Sequence, residues 1–389
     1  MSAGPLINQE RARALLESAV SGGELPPAYL FAGPHGVGKE EAALALARSL
    51  NCERNAGETG LDLFGTPAAS GQTEHRQVRE TLGGCGTCSS CSRIGRYSHP
   101  DVIVRMPLPR PRGSGRGNSA DPGEALAFKA ENPYRDPEVT GGSLSIGIAD
   151  VRVIIRQLAY APVEARMRVA ILREAERMTE DAQNALLKSM EEPPPHTLFI
   201  LTTHRPNALL PTVRSRSRTV CFRALRSEEI ASYLREQGIG HGDEVNIAGL
   251  AMGSVNRAIQ IAEGDVQGRE EAIRFLTWAV EGRRREALAW ASGYTFKSGG
   301  TMLTEARRVL EELLSLVRDV ASLQNGVEDR LLNQDMVDVL RNVGRRVPEG
   351  AGLHALEAVA CACGEVDSNV NLALIYATLF DDLRSLGIN

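Results

Sequence analysis

Two short apolar runs constrain this chain most. Val169-Ala170-Ile171-Leu172 and Leu198-Phe199-Ile200-Leu201 are too short for helices and show no polar alternation. Such runs are strands buried on both faces, as in a parallel sheet. Between them, residues 181–192 place Ala182, Ala185, Leu186 and Met190 at helical spacing, and Pro193-Pro194-Pro195 stops the helix. Strand, crossover helix, strand is one βαβ unit. Further strands are expected at 28–31, 101–105 and 219–222, so the first part of the chain reads as an α/β sheet domain.

Composition excludes little but usefully. The 389 residues allow two or three domains, and 42% apolar with 24% charged residues is ordinary for a globular protein. A net charge of −5 gives no global attraction to nucleic acid or membrane. No apolar run approaches the ~18 residues of a membrane span, and the N-terminus mixes acids and arginines unlike a secretory signal. A cytoplasmic protein is expected.

Helices are expected at 7–19, 40–50 and 145–160. Residues 53–84 and 107–142 lack periodicity and read as two mobile insertions. Arg110, Arg112 and Arg116 make the second one basic. It reads as a solvated tract, with nucleic-acid contact as the alternative. After about residue 223 every segment is helical: 227–237, 243–251 and 254–263 as a small unit, then 269–281, 284–293, 301–323, 327–345, 352–362 and 370–386. The domains are therefore drawn at 1–222, 223–266 and 267–389.

The residues that carry chemistry lie in the sheet domain. Gly33-Pro34-His35-Gly36-Val37-Gly38-Lys39 follows a strand and precedes a helix, which is the context of a phosphate-cradling P-loop. Gly33, Gly36 and Gly38 let backbone N–H groups close round an anion, and Lys39 would reach the β- and γ-phosphates. The next residue should be Ser or Thr, to hold Mg²⁺; it is Glu40. At the end of the 169–172 strand an acidic pair should hold Mg²⁺ and polarise water. Arg173 stands in the first place and Glu174 in the second. Glu40 and Arg173 are expected to pair across the metal position; two unrelated surface substitutions are the alternative. Either way, ATP·Mg²⁺ is not expected to be hydrolysed at this site. Thr202 and Thr203 would face its γ-phosphate region.

Cys52, Cys85, Cys88 and Cys91 offer four thiolates, enough for a closed structural Zn²⁺ site. His75 and His99 are possible substitutes for Cys52. Cys221, Cys361 and Cys363 read as small buried hydrophobes.

On these residues the chain resembles the bacterial DNA polymerase III clamp-loader subunits of the AAA+ superfamily. LFAGPHGVGKE, the Cys cluster followed by His99-Pro100-Asp101, AERMTEDAQNALLKSMEEPPP, FILTTHRPNALLPTVRSRS and NVNLALIYATLFDDL carry the resemblance. It implies a RecA-like α/β P-loop domain with a zinc module at 52–91, a helical lid, and an all-α collar that oligomerises. The family's Ser-Arg-Cys finger motif is present as Ser215-Arg216-Ser217. The motor's sensor arginine position holds Asn256, with Arg257 next. A kept finger beside an altered ATP site looks like the delta-prime branch. That implies a non-hydrolysing stator lending Arg216 to a neighbouring gamma/tau motor subunit. The implied partners are gamma/tau, the delta subunit, the sliding clamp and primer–template DNA. Competing readings are a hydrolysing gamma/tau-type motor and a zinc-containing P-loop regulator outside replication.

Overall fold

A computed structural model describes residues 7–22, 25–56, 82–110, 121–137, 143–264, 267–296, 300–328, 331–348, 350–366 and 370–385. Five parallel strands form the central sheet: β1 (Ala28–Ala32), β2 (Val102–Arg105), β5 (Arg168–Leu172), β6 (Thr197–Thr203) and β7 (Arg218–Cys221). Their order is β2-β5-β6-β1-β7. Every residue of β1, β5 and β6 is buried, as the unbroken apolar runs require.

Alternate strand residues serve opposite faces. Tyr29, Phe31, Val169, Ile171, Leu198 and Ile200 meet helices α1 (Glu10–Gly22) and α2 (Lys39–Asn51) on one side. Ala28, Leu30, Ala170, Leu172, Phe199 and Leu201 meet Ile148–Leu158 and Glu180–Glu191 on the other. At the sheet's edges burial alternates, and Cys221 on β7 points outward. Cys361 is exposed too and Cys363 half-buried, so the expectation of three buried thiols is corrected.

The expectation of a structureless 107–142 tract is also corrected. Leu108–Arg110 (β3) and Ser143–Ser145 (β4) pair antiparallel, and Pro122–Glu131 is a helix. Asp121 caps that helix by accepting the Gly123 N–H at 2.9 Å, and Pro122 occupies its first turn. Arg112, Arg116 and most of 53–84, His75 included, lie outside the described residues.

The lid comprises Ser227–Gln237, Glu244–Leu250 and Val255–Ala262, with Ile230, Leu234, Ile247 and Val255 in its core. Beyond it, Gln267–Glu281, Arg284–Phe296, Gly300–Gln324, Val337–Arg346, Ala351–Glu365 and Leu372–Ser385 bury a separate apolar core. Leu310, Leu313 and Val317 form its central stripe. The helix expected from 327 starts only at Val337. The fully buried Asp319 carboxylate accepts the backbone N–H groups of Leu332 and Asn333 and fixes that stretch as a loop. Among the described residues no helix is long and apolar enough to cross a membrane.

Candidate functional site: a filled P-loop and a four-cysteine cluster

The glycine turn leaves the carboxyl end of β1, next to β6 and opposite the end of β5. Gly38 adopts φ +94° and opens α2. Gly36, at φ +69°, must be glycine for a second reason too: a Cβ there would meet Ser254 Oγ, and Asn256 Cβ at 2.8 Å. The lid is thus seated directly on the turn, and the Val255 N–H donates to the Gly36 carbonyl at 2.9 Å. Gln9 ties both to the N-terminus, bonding the Val37 and Arg223 carbonyls at 3.3 and 2.8 Å. Lys39 folds back on the turn, its Nζ donating to the Gly33 and Pro34 carbonyls at 2.8 and 2.5 Å. Burial pulls its pKa down to about 8.

The expected Glu40–Arg173 pair is present, with Arg173 Nε 2.9 Å from Glu40 Oε2. Both residues are buried, at 7% and 6% exposure, so they are not independent surface substitutions. Two residues that sequence reasoning left in an insertion complete the cluster. Lys129 Nζ lies 2.9 Å from Glu40 Oε2, and Arg173 Nη2 donates to Asp136 Oδ1 at 2.6 Å. Asp136 Oδ2 also takes His35 Nε2 at 3.2 Å and the Asn256 amide at 3.1 Å. Tyr97 donates its hydroxyl to Glu40 Oε1 at 2.8 Å.

These contacts set the electrostatics. Burial alone would depress Arg173, but Glu40 and then Asp136 raise it. Burial would lift Asp136, yet Arg173 and His35 hold it well below the carboxylate range. Glu41, buried behind the cluster, is pushed up to about 7 by desolvation. Mg²⁺ needs oxygen ligands in octahedral array. Here the Glu40 side of the site is filled by guanidinium and ammonium donors, which offer none.

Glu174, the remaining acid, sits at φ +45° and is drawn to Arg177 Nε at 2.6 Å. Thr202 and Thr203 are buried at the end of β6; Thr202 Oγ1 accepts the Glu174 N–H at 3.4 Å. All of these predicted residues except Gly33 line one cavity, with His35, Lys129, Tyr134, Asp136 and Asn256. Its volume is about 50 Å³. That holds a few waters, against the ~300 Å³ or more of an ordinary ligand site. The ligand atoms of His35, Asp136 and Glu174 lie within 4.8 Å of one another. Arg173 and Arg177 already neutralise the two carboxylates, so this is an ion-pair cluster.

The Sγ atoms of Cys52, Cys85, Cys88 and Cys91 also lie within 4.8 Å of one another. Zn–S bonds of ~2.3 Å in a tetrahedron place sulfurs ~3.8 Å apart, so the set fits Zn²⁺ after a small contraction. Cys52 sits at the end of α2, and Cys88 and Cys91 flank the start of Ser89–Gly95. Backbone N–H groups of Cys85, Cys88 and Cys91 donate to the sulfurs of Cys52, Cys85 and Cys88 at 3.3, 3.3 and 3.4 Å. A Cβ on Gly84 would strike Cys91 Sγ at 2.9 Å, so the glycine clears the sulfur. His99 is not a substitute ligand: its Nδ1 accepts the Asp101 N–H at 3.1 Å and its Nε2 faces Glu164. The Cys helix leads straight to Tyr97, so the cluster braces the hydroxyl that holds Glu40.

Arg216 caps the short helix Pro211–Ser215. It is about one-third exposed at 36%, pairs with Glu191, and donates to the Thr212 carbonyl at 3.2 Å. It is not among the residues lining the P-loop cavity of its own chain.

A parallel sheet with a P-loop at β1, a helical lid seated on that loop, and a helical C-terminal region define a RecA-like chain of AAA+ type. The chain belongs to the family described as "DNA polymerase III, delta subunit", whose sequence model matches residues 8–63 and 66–226. It is 26% identical over 371 residues to the DNA polymerase III subunit delta' of Bacillus subtilis, covering 94% of this chain and 92% of that one. It is 34% identical over 220 residues to the gamma/tau subunit of Mycobacterium tuberculosis, covering 57% of this chain but only 28% of that one. The tau subunit of Escherichia coli is 26% identical over 365 residues, with 88% and 47% covered. This chain therefore spans about half or less of the gamma/tau relatives. Among solved structures it is similar to a gamma subunit-related protein of Thermotoga maritima at 16% identity and TM-score 0.41, over 97% and 100% of the two chains.

Proposed function

We propose that this chain is the delta-prime-type stator of the DNA polymerase III clamp loader and hydrolyses nothing at its own P-loop. One observation carries the reading: Glu40, Arg173 and Lys129 fill the Mg²⁺ position with a buried ion-pair cluster. Phosphoryl transfer depends on metal and positioned donors, and here both metal-holding groups are replaced. Arg216 stays about one-third exposed outside its own cavity, which suits a guanidinium offered to the ATP site of a neighbouring gamma/tau subunit. The 223–266 lid and 267–389 collar would place it there, beside the delta subunit. The assembly would act on the sliding clamp and primer–template DNA. The four-cysteine module would hold structural Zn²⁺ and take no part in chemistry.

The test is Mg²⁺–ATP turnover of the isolated chain and of a reconstituted loader carrying Lys39→Ala. The isolated chain should show none above background, and Lys39→Ala should leave loader turnover unchanged. Turnover by the isolated chain that Lys39→Ala abolishes would identify a motor subunit instead.

A further inference from the structure

We infer that residues 121–137 are a built-in occupant of the P-loop site and that this segment, in place of a nucleotide, holds the lid shut. The inference rests on the stator reading and extends it.

A bound triphosphate would be recognised by the glycine turn, by the end of β5 and by the lid. Asp136 is grasped from those three directions. His35 of the turn lies 3.2 Å away, Arg173 at the end of β5 2.6 Å, and Asn256 at the start of a lid helix 3.1 Å. Its carboxylate makes the contacts that a terminal phosphate would otherwise make. Lys129 supplies the cation: it is 2% exposed, 2.9 Å from Glu40 and 2.5 Å from the Pro133 carbonyl.

The same segment is anchored in the lid. Tyr134 is 4% exposed within the lid core and stacks edge-on against Tyr233, ring centroids 5.4 Å apart. Arg135 pairs with Glu263 at the end of the last lid helix. So one short stretch bonds the sheet domain through Lys129 and Asp136 and the lid through Tyr134, Arg135 and Asp136. A phosphate seated against Lys39 and Glu40 would have to displace it, because only about 50 Å³ remain on that side; the larger cavity of about 470 Å³ opens on the other side of Asp136, towards Arg177, Arg257 and Arg308. The phosphate would also bring its charge beside Asp136 and Glu40, whose cations are already committed. The glycine turn and Lys39 survive, but Lys39 is spent on the turn's own carbonyls.

The experiment uses the full chain. Calorimetric titration with ATP and with ADP, with and without Mg²⁺, is combined with amide hydrogen exchange over 251–262. The wild-type chain should bind neither nucleotide up to ~1 mM, yet show a protected lid. Asp136→Ala should speed lid exchange by about tenfold or more without any nucleotide present. Asn256→Ala removes a single amide donor and should do so to a lesser degree with the sheet domain intact. Micromolar ATP binding by the wild type would overturn the inference. So would unchanged lid exchange in both variants, or stoichiometric Mn²⁺ binding at His35, Asp136 and Glu174. If lid exchange ignores Asp136 while the chain still hydrolyses nothing, only the occupant idea fails. Lys39-dependent turnover removes the stator reading itself.

Discussion

Replacing Arg173 with methionine is the sharpest stability test of the filled site. The substitution keeps much of the aliphatic volume and removes the guanidinium that lies 2.9 Å from Glu40 and 2.6 Å from Asp136. Breaking a buried pair by deleting one partner costs about 3–5 kcal/mol, because the other charge is left desolvated. Glu40 keeps Lys129 and Tyr97, and Asp136 keeps His35 and Asn256, so the lower end, about 3 kcal/mol, is expected. For a domain of this size that is a fall in Tm of roughly 10 °C. The chain offers a clean assay. Both tryptophans, Trp278 and Trp290, pack against the C-terminal helical core, so their fluorescence reports that region alone. Circular dichroism should show an early transition in Arg173→Met while the tryptophan transition stays put. Adding Glu40→Gln should recover more than about 1 kcal/mol through the coupling of the two sites. A loss below about 1 kcal/mol, or no coupling, would refute the claim that this cluster is buried and mutually dependent.

Glu41 titrates in the folded chain at about 7 against an ordinary 4.5, raised by burial. The folded state therefore holds a proton the unfolded state has released, and stability falls as pH rises from about 4.5 to about 7. Glu41→Gln should stabilise the chain at pH 8 by on the order of 2–3 kcal/mol, and the gain should shrink steadily as pH falls towards 5 in paired denaturant titrations. Native mass spectrometry should find one Zn²⁺ bound per chain and none in Cys91→Ser. Chelation should also lower the early circular-dichroism transition, since the module braces Tyr97 against Glu40. Arg257 in the lid pairs with Glu312 in the long helix beyond it, at 8% and 6% exposure. Arg257→Leu should cost about 3 kcal/mol or more, with Glu312→Leu in the same chain restoring most of it.

The sheet was legible because β1, β5 and β6 are buried on both faces, leaving unbroken apolar runs with nothing to alternate. The Glu40–Arg173 contact was legible because two substitutions at facing positions compensate in charge. The rest of the cluster was not. Lys129 and Asp136 are charged residues in a stretch dense in Pro, Gly and Arg, and composition reads such residues as solvated. Lys129 is buried and Asp136 is held in ion pairs through partners more than 35 positions away in sequence, such as Arg173 at 37 from Asp136. A local signal did exist. Asp121, Pro122 and Glu124 are an N-cap, a first-turn proline and a first-turn acid ahead of Ala125, Leu126 and Phe128. Reading that start signal would have placed the helix Pro122–Glu131 inside the supposed loop. The late start of the helix at Val337 was hidden for the opposite reason. The local pattern is helical, and a distant carboxylate, Asp319, overrides it.

The measurement closest to the central claim is ATP turnover by a reconstituted clamp loader, stimulated by clamp and primed DNA, with this chain either wild type or Arg216→Ala. An arginine finger acting in trans is worth roughly 10³–10⁵ in turnover at the site it serves. Loss at one of several motor sites should still lower the total, and coupled sites should fall by tenfold or more, ~1.4 kcal/mol of barrier. Arg216→Lys should not rescue it, because an ammonium lacks the planar fork. Turnover that falls in this way, in a loader that assembles normally, is the predicted result. Turnover indifferent to Arg216 in a fully assembled loader would contradict the account.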